Sequence, residues 1–293
     1  MDERIDLHIH SDRSSDGDYP PREIVRLGRK HNLRAIAIAD HDSVAAYPEA
    51  LKYGQEFGLE VIPNIELTTI FNQREFHLLL PFIDWKKPFV EEIVQEVVER
   101  RRREAKKRTG KLQELGFDIE WEEVEQSSAP FAPLGVTIAQ VLLKKPGSKK
   151  DPRLEKYLSG SHQIQAPYLF YKDYFMEGKP ASVPRQNLSL TEVLDKSHLT
   201  GGVPVLAHPG AYFQQATEED IRRLKEKGLA GLEVYSSYHD SEEKEKYLCF
   251  CQKFDLIPTA GSDFHGSIKP HVKFGGLQEG GCWMVEKLKE RRP

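Results

Sequence analysis

Residues 5–11 read Ile5-Asp6-Leu7-His8-Ile9-His10-Ser11, and the fold turns on them. Apolar side chains at odd positions alternate with polar ones, the two-residue period of a β-strand, which predicts Asp6, His8 and His10 on one face. Two imidazoles two residues apart on a strand stand close enough to share a metal ion. Two hydrogen-bonded histidines at a strand end would leave the same pattern. Recurrence separates the readings. His, Asp and Glu return just after short apolar runs, at Asp40-His41-Asp42, Glu66, His77, His208 and Asp263-Phe264-His265.

Outward from that stretch, a polar loop over 11–19 leads to a helix that Pro20 and Pro21 open and that ends near Asn32. Ala35-Ile36-Ala37-Ile38-Ala39 reads as a strand buried on both faces. A helix over 47–57 stops at Gly58, and strands follow over 59–65 and 76–80. Strand, helix, strand is the rhythm of a parallel sheet. After Trp85 it breaks into a long charged helical stretch over 88–115, an acidic segment over 120–125 and short helices over 136–144 and 153–157. Aromatics then crowd 168–175. The rhythm returns at Gly201, with strands over 203–207, 231–235 and 256–260, helices started by Thr217 and Ser241, and a further strand over 282–285. The expected division is therefore 1–84 and 200–293 for one α/β domain, with 85–199 as a mainly helical insertion. Without the short run at 282–285 the strands number seven, each ending in metal-ligating side chains, and they fit a closed parallel barrel whose strand carboxyl ends open on one rim.

The bulk numbers narrow the function classes. At 293 residues the chain fits one α/β barrel with an insertion, and a net charge of −4 excludes a global basic field for nucleic acid. Cys249, Cys251 and Cys282 form no disulfide framework, which points to a reducing compartment. Cys249-Phe250-Cys251 falls in a helical pattern and reads as buried free thiols rather than a thiolate pair. With no apolar run long enough for a membrane and a strand starting at Ile5, neither a span nor a signal peptide is expected, and the protein reads as cytoplasmic. The run Arg100-Arg101-Arg102-Arg103 with Lys106, Lys107, Arg108 and Lys111 reads as a solvated helix paired with Glu91, Glu92, Glu96 and Glu99, rather than as a nucleic-acid stripe.

Taken in order, His8-Ile9-His10-Ser11, Ser15-Asp16-Gly17, Asp40-His41-Asp42-Ser43, Ile65-Glu66, His77-Leu78-Leu79, Ala207-His208-Pro209-Gly210 and Gly261-Ser262-Asp263-Phe264-His265-Gly266 resemble the motifs of the polymerase and histidinol phosphatase (PHP) family. The resemblance is greatest to stand-alone members that hydrolyse nucleotide phosphates or trim short oligonucleotides. It covers the first 84 and last 94 residues well and the insertion loosely.

That resemblance implies a distorted (β/α)7 barrel with two or three divalent ions, Mn, Fe or Zn, on its rim. His8, His10, Glu66 and Asp263 would hold the first; Glu66 would bridge to a second at His77 and His208; Asp16, His41 and His265 would hold the third. Asp40, His41, Asp263 and His265 would be catalytic, with Asp40 and Asp42 orienting His41, and Asp6 and Glu233 standing behind the ligands. His239 and Arg185 would contact substrate. One departure matters: relatives carry an Arg-Pro-His-Ile-Ala run in the insertion, where this chain has Gly135-Val136-Thr137-Ile138-Ala139, leaving Arg185, Lys144, Lys145, Lys149 or Lys150 to supply the missing cation.

The implied activity is that of a phosphoric ester hydrolase, of phosphatase or exonuclease type, acting on nucleotides or short oligonucleotides by attack of a metal-activated hydroxide on phosphorus. A phosphatase of a small phosphorylated metabolite, histidinol-phosphate-like, is the alternative within the enzyme class, and a noncatalytic metal-binding module is the alternative outside it. No membrane and no stable protein partner are expected.

Overall fold

The computed structural model describes residues 3–14, 16–159, 165–184 and 186–293. In chain order the elements are β1 (Ile5–Ile9), α1 (Pro21–Lys30), β2 (Ala35–Ile38), α2 (Tyr47–Phe57), β3 (Glu60–Pro63), β4 (Glu66–Phe71), β5 (Arg74–Leu79), α3 (Pro88–Glu114), α4 (Trp121–Ser128), α5 (Gly135–Lys144), α6 (Glu155–Leu158) and α7 (Ala166–Tyr174). They continue with β6 (Leu188–Ser189), α8 (Leu190–Lys196), β7 (Val205–Leu206), α9 (Glu218–Glu226), β8 (Gly231–Ser236), α10 (Ser241–Phe254), β9 (Ile257–Gly261) and α11 (Cys282–Glu290). The chain divides into two compact units, Met1–Val94 with Leu188–Pro293, and Gln95–Asn187.

In the first unit β1, β2 and β3 form a parallel sheet, and β6-β4-β5-β7-β8-β9 form a second. The second sheet is mixed: β5 runs antiparallel to both β4 and β7, while the other pairs are parallel. Two single bridges, Ile9 to Phe264 and His41 to Glu66, join the sheets. Each is reinforced on either side: His10 N–H donates to Phe264 O (2.9 Å) and Asp263 N–H to His8 O (2.8 Å), while Asp42 N–H donates to Glu66 O (3.0 Å) and Glu66 N–H to Asp40 O (3.2 Å). The seams are thus stitched by the backbone of residues expected to ligate metal, or of their immediate neighbours.

Two expectations need correction here. The reading of a single strand over 59–65 followed by one over 76–80 missed β4, which pairs with β5 as a hairpin turned by Asn72 and Gln73, both at positive φ. The apolar run at 282–285 is no strand; it opens α11, because Met284, Val285 and Leu288 fall on one helical face and bury against Ile5, Leu7 and Val205.

A bulge in β1 changes the opening stretch as well. The register with β2 runs Ile5 to Ala35, Asp6 to Ile36, then Ile9 to Ile38, so three steps on β1 face two on β2. Ile5 and Leu7 pack with Ala35, Ala37 and Ala39, whereas Ile9 packs with Ile36, Ile38 and Ile24. The alternation reverses between Leu7 and Ile9, and His8 and His10, flanking Ile9, turn to the side on which Ile5 and Leu7 pack. Asp6 does not share their face, because the extra residue flips the parity of everything after it.

The second unit is helical, its core built from Leu112, Phe117, Ile138, Leu142, Tyr157 and Phe170 among others. On α3, Arg100 pairs with Glu96 (2.6 Å) and Arg103 with Glu99 (3.5 Å), the one-turn spacing expected of a self-paired helix. Arg108, though in the same basic run, is buried, ion-paired with Glu104 (2.8 Å) beneath the rings of Tyr171 and Phe175. Of the cysteines, Cys251 is buried and Cys249 exposed, and no group of metal-ligating side chains among the described residues includes either. No helix among the described residues is long and apolar enough to cross a membrane.

Candidate metal centre

The site gathers on Glu66, which follows β3 and begins β4. Its Oε2 lies 3.2 Å from Nε2 of His8, of His10 and of His41. Its Oε1 lies 2.9 Å from His77 Nδ1 and 3.0 Å from His208 Nε2. Asp263 Oδ1 stands opposite, 3.0 Å from His10 Nε2 and 3.4 Å from His8 Nε2. On the far side of His10, Asp16 Oδ2 is 3.3 Å from His265 Nε2 and 3.5 Å from His41 Nε2.

These atoms form three overlapping groups among the described residues: His8, His10, Glu66 and Asp263; His41, Glu66 and His77; and His10, Asp16, His41 and His265. The first contains every side chain expected at the first ion. In the second, His41 stands beside His77 where His208 was expected, with His208 touching the same Glu66 oxygen. The third joins His10 to the expected Asp16, His41 and His265. His77 arrives from the middle of the antiparallel β5 rather than from a strand carboxyl end, so convergence at one rim does not account for it.

The donor atoms fit cations. His8 and His10 bring their Nε2 atoms within 3.1 Å of each other in a fully buried setting. Glu66 Oε2 and Asp263 Oδ1, also buried, accept no well-formed hydrogen bond. Such groups are costly unless a proton or a metal lies between them. Burial opposes ionisation of Glu66, but His41, His8 and His77 outweigh it and hold the carboxyl well below the usual range. Burial likewise opposes protonation of His10, yet the close Asp263 and Glu66 carboxylates push it up to about 10, and Glu66 pushes His77 up to about 9. Protons on these imidazoles stand in for the positive charge the carboxylates call for. Mixed imidazole and carboxylate donors suit Mn, Fe or Zn rather than Ca.

Behind the donors stands a layer of orienting contacts. Glu233 places Oε1 2.9 Å from His8 Nδ1 and accepts the His208 N–H on Oε2 at 2.9 Å. Asp6 accepts from Ser262 N–H (2.9 Å) and His8 N–H (3.3 Å), and burial pushes its carboxyl up to about 6. Asp40 does not reach His41 by a hydrogen bond. Its oxygens take Ser11 N–H and Ser11 Oγ, both at 2.6 Å, and Ser14 Oγ at 3.1 Å, while Ser14 Oγ also lies 2.7 Å from Asp16 Oδ1. Asp40 therefore braces the loop that carries Asp16. Asp263 and His208 sit at φ 56° and 26°, a left-handed conformation costing about 1–3 kcal/mol that persists only where surrounding bonds over-determine it.

His239 is buried with both ring nitrogens engaged, Nε2 accepting from Gly210 N–H and Nδ1 donating to Val234 O, each at 2.8 Å. It ties the His208 loop to β8. Arg185 lies outside the described residues. Two residues escaped the sequence reading. Gln214, fully buried, accepts His77 N–H on Oε1 (3.0 Å) and donates from Nε2 to Ala207 O (2.8 Å), bracing two histidine-bearing segments at once. Lys269 pairs with Asp263 Oδ2 and donates to Tyr238 OH at 2.5 Å. Neither carried a motif; each is a single polar residue six positions past a recognised one.

The PHP domain matches residues 6–114, the span that carries His8, His10, Asp16, His41, Glu66 and His77. Over that span the chain is similar to the PHP family. Among relatives of this chain, a 5′-3′ exoribonuclease of Haemophilus influenzae is 26% identical over 275 residues, covering 90% of this chain and 91% of the relative. A 3′,5′-nucleoside bisphosphate phosphatase of Chromobacterium violaceum is 25% identical over 269 residues, covering 89% and 87%. Among solved structures, a Bifidobacterium adolescentis protein assigned to the metal-dependent phosphoesterases superposes with a TM-score of 0.81 at 26% identity, covering 99% of this chain and 97% of that one. The α/β fold is thus similar to that of metal-dependent phosphoesterases over nearly the whole chain.

Proposed function

We propose that the protein is a metal-dependent phosphoesterase that hydrolyses phosphate esters of nucleotides or short oligonucleotides. The observation that carries this reading is Glu66, one buried carboxylate touched by five imidazoles from distant segments. A structural site tends to be closed by four ligands, whereas an overlapping set of this size leaves positions for substrate. We read the two bridged seams as closing the strands into a distorted barrel, with the site on its rim.

His8, His10, Glu66 and Asp263 would hold one divalent ion, Glu66 with His77 and His208 a second, and Asp16 with His41 and His265 a third. When bound, such cations offset the charge of a phosphate ester and bring the pKa of water from about 16 to near 7. Glu233 holds His8 by Nδ1, leaving Nε2 for the centre, and His265 Nδ1, 2.8 Å from Asp263 O, is fixed in the same sense. Asp40, through Ser11 and Ser14, keeps Asp16 in reach. Arg185 remains our candidate for gripping substrate phosphate, in place of the cation missing at Gly135. A cytoplasmic setting accords with the free thiols.

The test offers metal-loaded protein 5′-phosphorylated oligoribonucleotides, nucleoside 3′,5′-bisphosphates and phosphorylated amino alcohols. Cleavage of either nucleotide class, lost on chelation and restored by Mn, Fe or Zn, is the expected result. Preference for the amino-alcohol phosphates would move the substrate to small metabolites, and full turnover after exhaustive chelation would overturn the reading.

A further inference from the structure

Lys269 stands at the carboxylate of Asp263. Its ammonium pairs with Asp263 Oδ2, donates to Tyr238 OH at 2.5 Å and lies 4.6 Å from the centroid of the Tyr238 ring. That ring packs on His208 at 4.9 Å between centroids. Asp263 is thereby divided: Oδ2 faces Lys269, while Oδ1 faces His8 and His10 without a well-formed hydrogen bond. An ammonium has three N–H donors. Asp263 and Tyr238 take two, and the lysine side chain remains 21% exposed, so one donor is left at the edge of the metal-ligating cluster.

We propose that Lys269 is a substrate-contact residue whose remaining N–H binds a nonbridging oxygen of the phosphate being hydrolysed. The proposal rests on the phosphoesterase reading above and adds to it a specific phosphate-binding group. Two fixed acceptors pre-aim the side chain, so little rotamer freedom is lost when the phosphate arrives. The compact, strongly charged ammonium needs no bidentate geometry and can serve a tetrahedral anion as a point charge.

Inorganic phosphate is the probe. Its inhibition constant is measured on metal-loaded wild type, Lys269→Met, Lys269→Gln and Lys269→Arg, with metal content determined on the same samples and folding checked by circular dichroism. The expected result is an unchanged metal content, phosphate binding weaker by about tenfold or more in both uncharged variants, a matching rise in KM, and partial recovery in Lys269→Arg. Unchanged phosphate binding in folded, metal-replete Lys269→Met overturns the proposal. Loss of metal in that variant also overturns it, making Lys269 a brace for Asp263 instead. A wild type that binds metal but ignores phosphate defeats the phosphoesterase reading and this inference together; a responsive wild type beside an equally responsive Lys269→Met defeats this inference alone.

Discussion

Glu233 holds His8 and His208 with its two oxygens, Oε1 2.9 Å from the His8 ring Nδ1 and Oε2 2.9 Å from the His208 backbone N–H. One buried carboxylate on β8 therefore sets the tautomer of a histidine on β1 and the path of the chain after β7. Replacing it by glutamine keeps the volume and removes the charge that raises His8 basicity. Glu233→Gln is expected to fold and to bind divalent metal about 10–100-fold more weakly, read by calorimetric titration with Mn or Zn. Wild-type affinity in that variant would remove Glu233 from the centre's design.

Gly261 gives a steric test of the same contact. A Cβ there would lie 2.1 Å from Glu233 Oε1 and 2.3 Å from His8 Cβ, closer than any real pair of atoms tolerates. Gly261→Ala must push one of the two side chains aside. We expect a folded protein with reduced metal stoichiometry and a melting temperature several degrees lower, consistent with about 1–3 kcal/mol of overpacking. Elemental analysis and a thermal melt on the same preparation decide it.

What could be read from the sequence tracks how local the cause is. His8, His10, His41, Glu66, His77, His208, Asp263 and His265 were all legible, because each follows or sits in an apolar run whose period announces a strand. The helices over 47–57 and after Thr217 were legible for a similar reason, since a Gly at positive φ and a threonine cap are local signals. The bulge in β1 was not, because it is defined only by the register against β2. The antiparallel turn of β5 was hidden behind Asn72-Gln73, a pair that lacks the glycine by which such hairpins usually declare themselves. Gln214 and Lys269 act through partners 137 and 6 residues away, and nothing in their neighbourhoods distinguishes them from surface polar residues.

Gln214→Leu isolates that hidden brace. Leucine fills a similar volume but leaves His77 N–H and Ala207 O buried without the side-chain partner they have now. Each unsatisfied group costs about 1–3 kcal/mol. The variant is expected to unfold at a lower denaturant midpoint with an unchanged slope, and to bind metal with reduced stoichiometry because His77 and His208 lose their common support. An unaltered midpoint would mean that water replaces the amide at both groups.

Acid sensitivity should trace partly to Asp220, at the start of α9. It pairs with Arg74 on the β4–β5 hairpin and accepts from Thr217 N–H (2.9 Å) and Thr217 Oγ (2.7 Å). Burial pushes its carboxyl up, but Arg74 and Thr217 prevail and hold it below the usual value of 3.8. A carboxylate depressed in the folded state stabilises the fold above its unfolded pKa, and that contribution fades as pH falls from there through the folded value. Asp220→Asn should therefore be less stable than wild type at pH 7, by on the order of 1 kcal/mol for the weakened charge-assisted bonds. The gap should narrow as pH drops below about 4, because the wild-type carboxyl itself becomes neutral. Urea titrations of both proteins at pH 7 and pH 3 measure the two gaps, and equal gaps would show that the carboxylate's charge contributes nothing to holding the hairpin against α9.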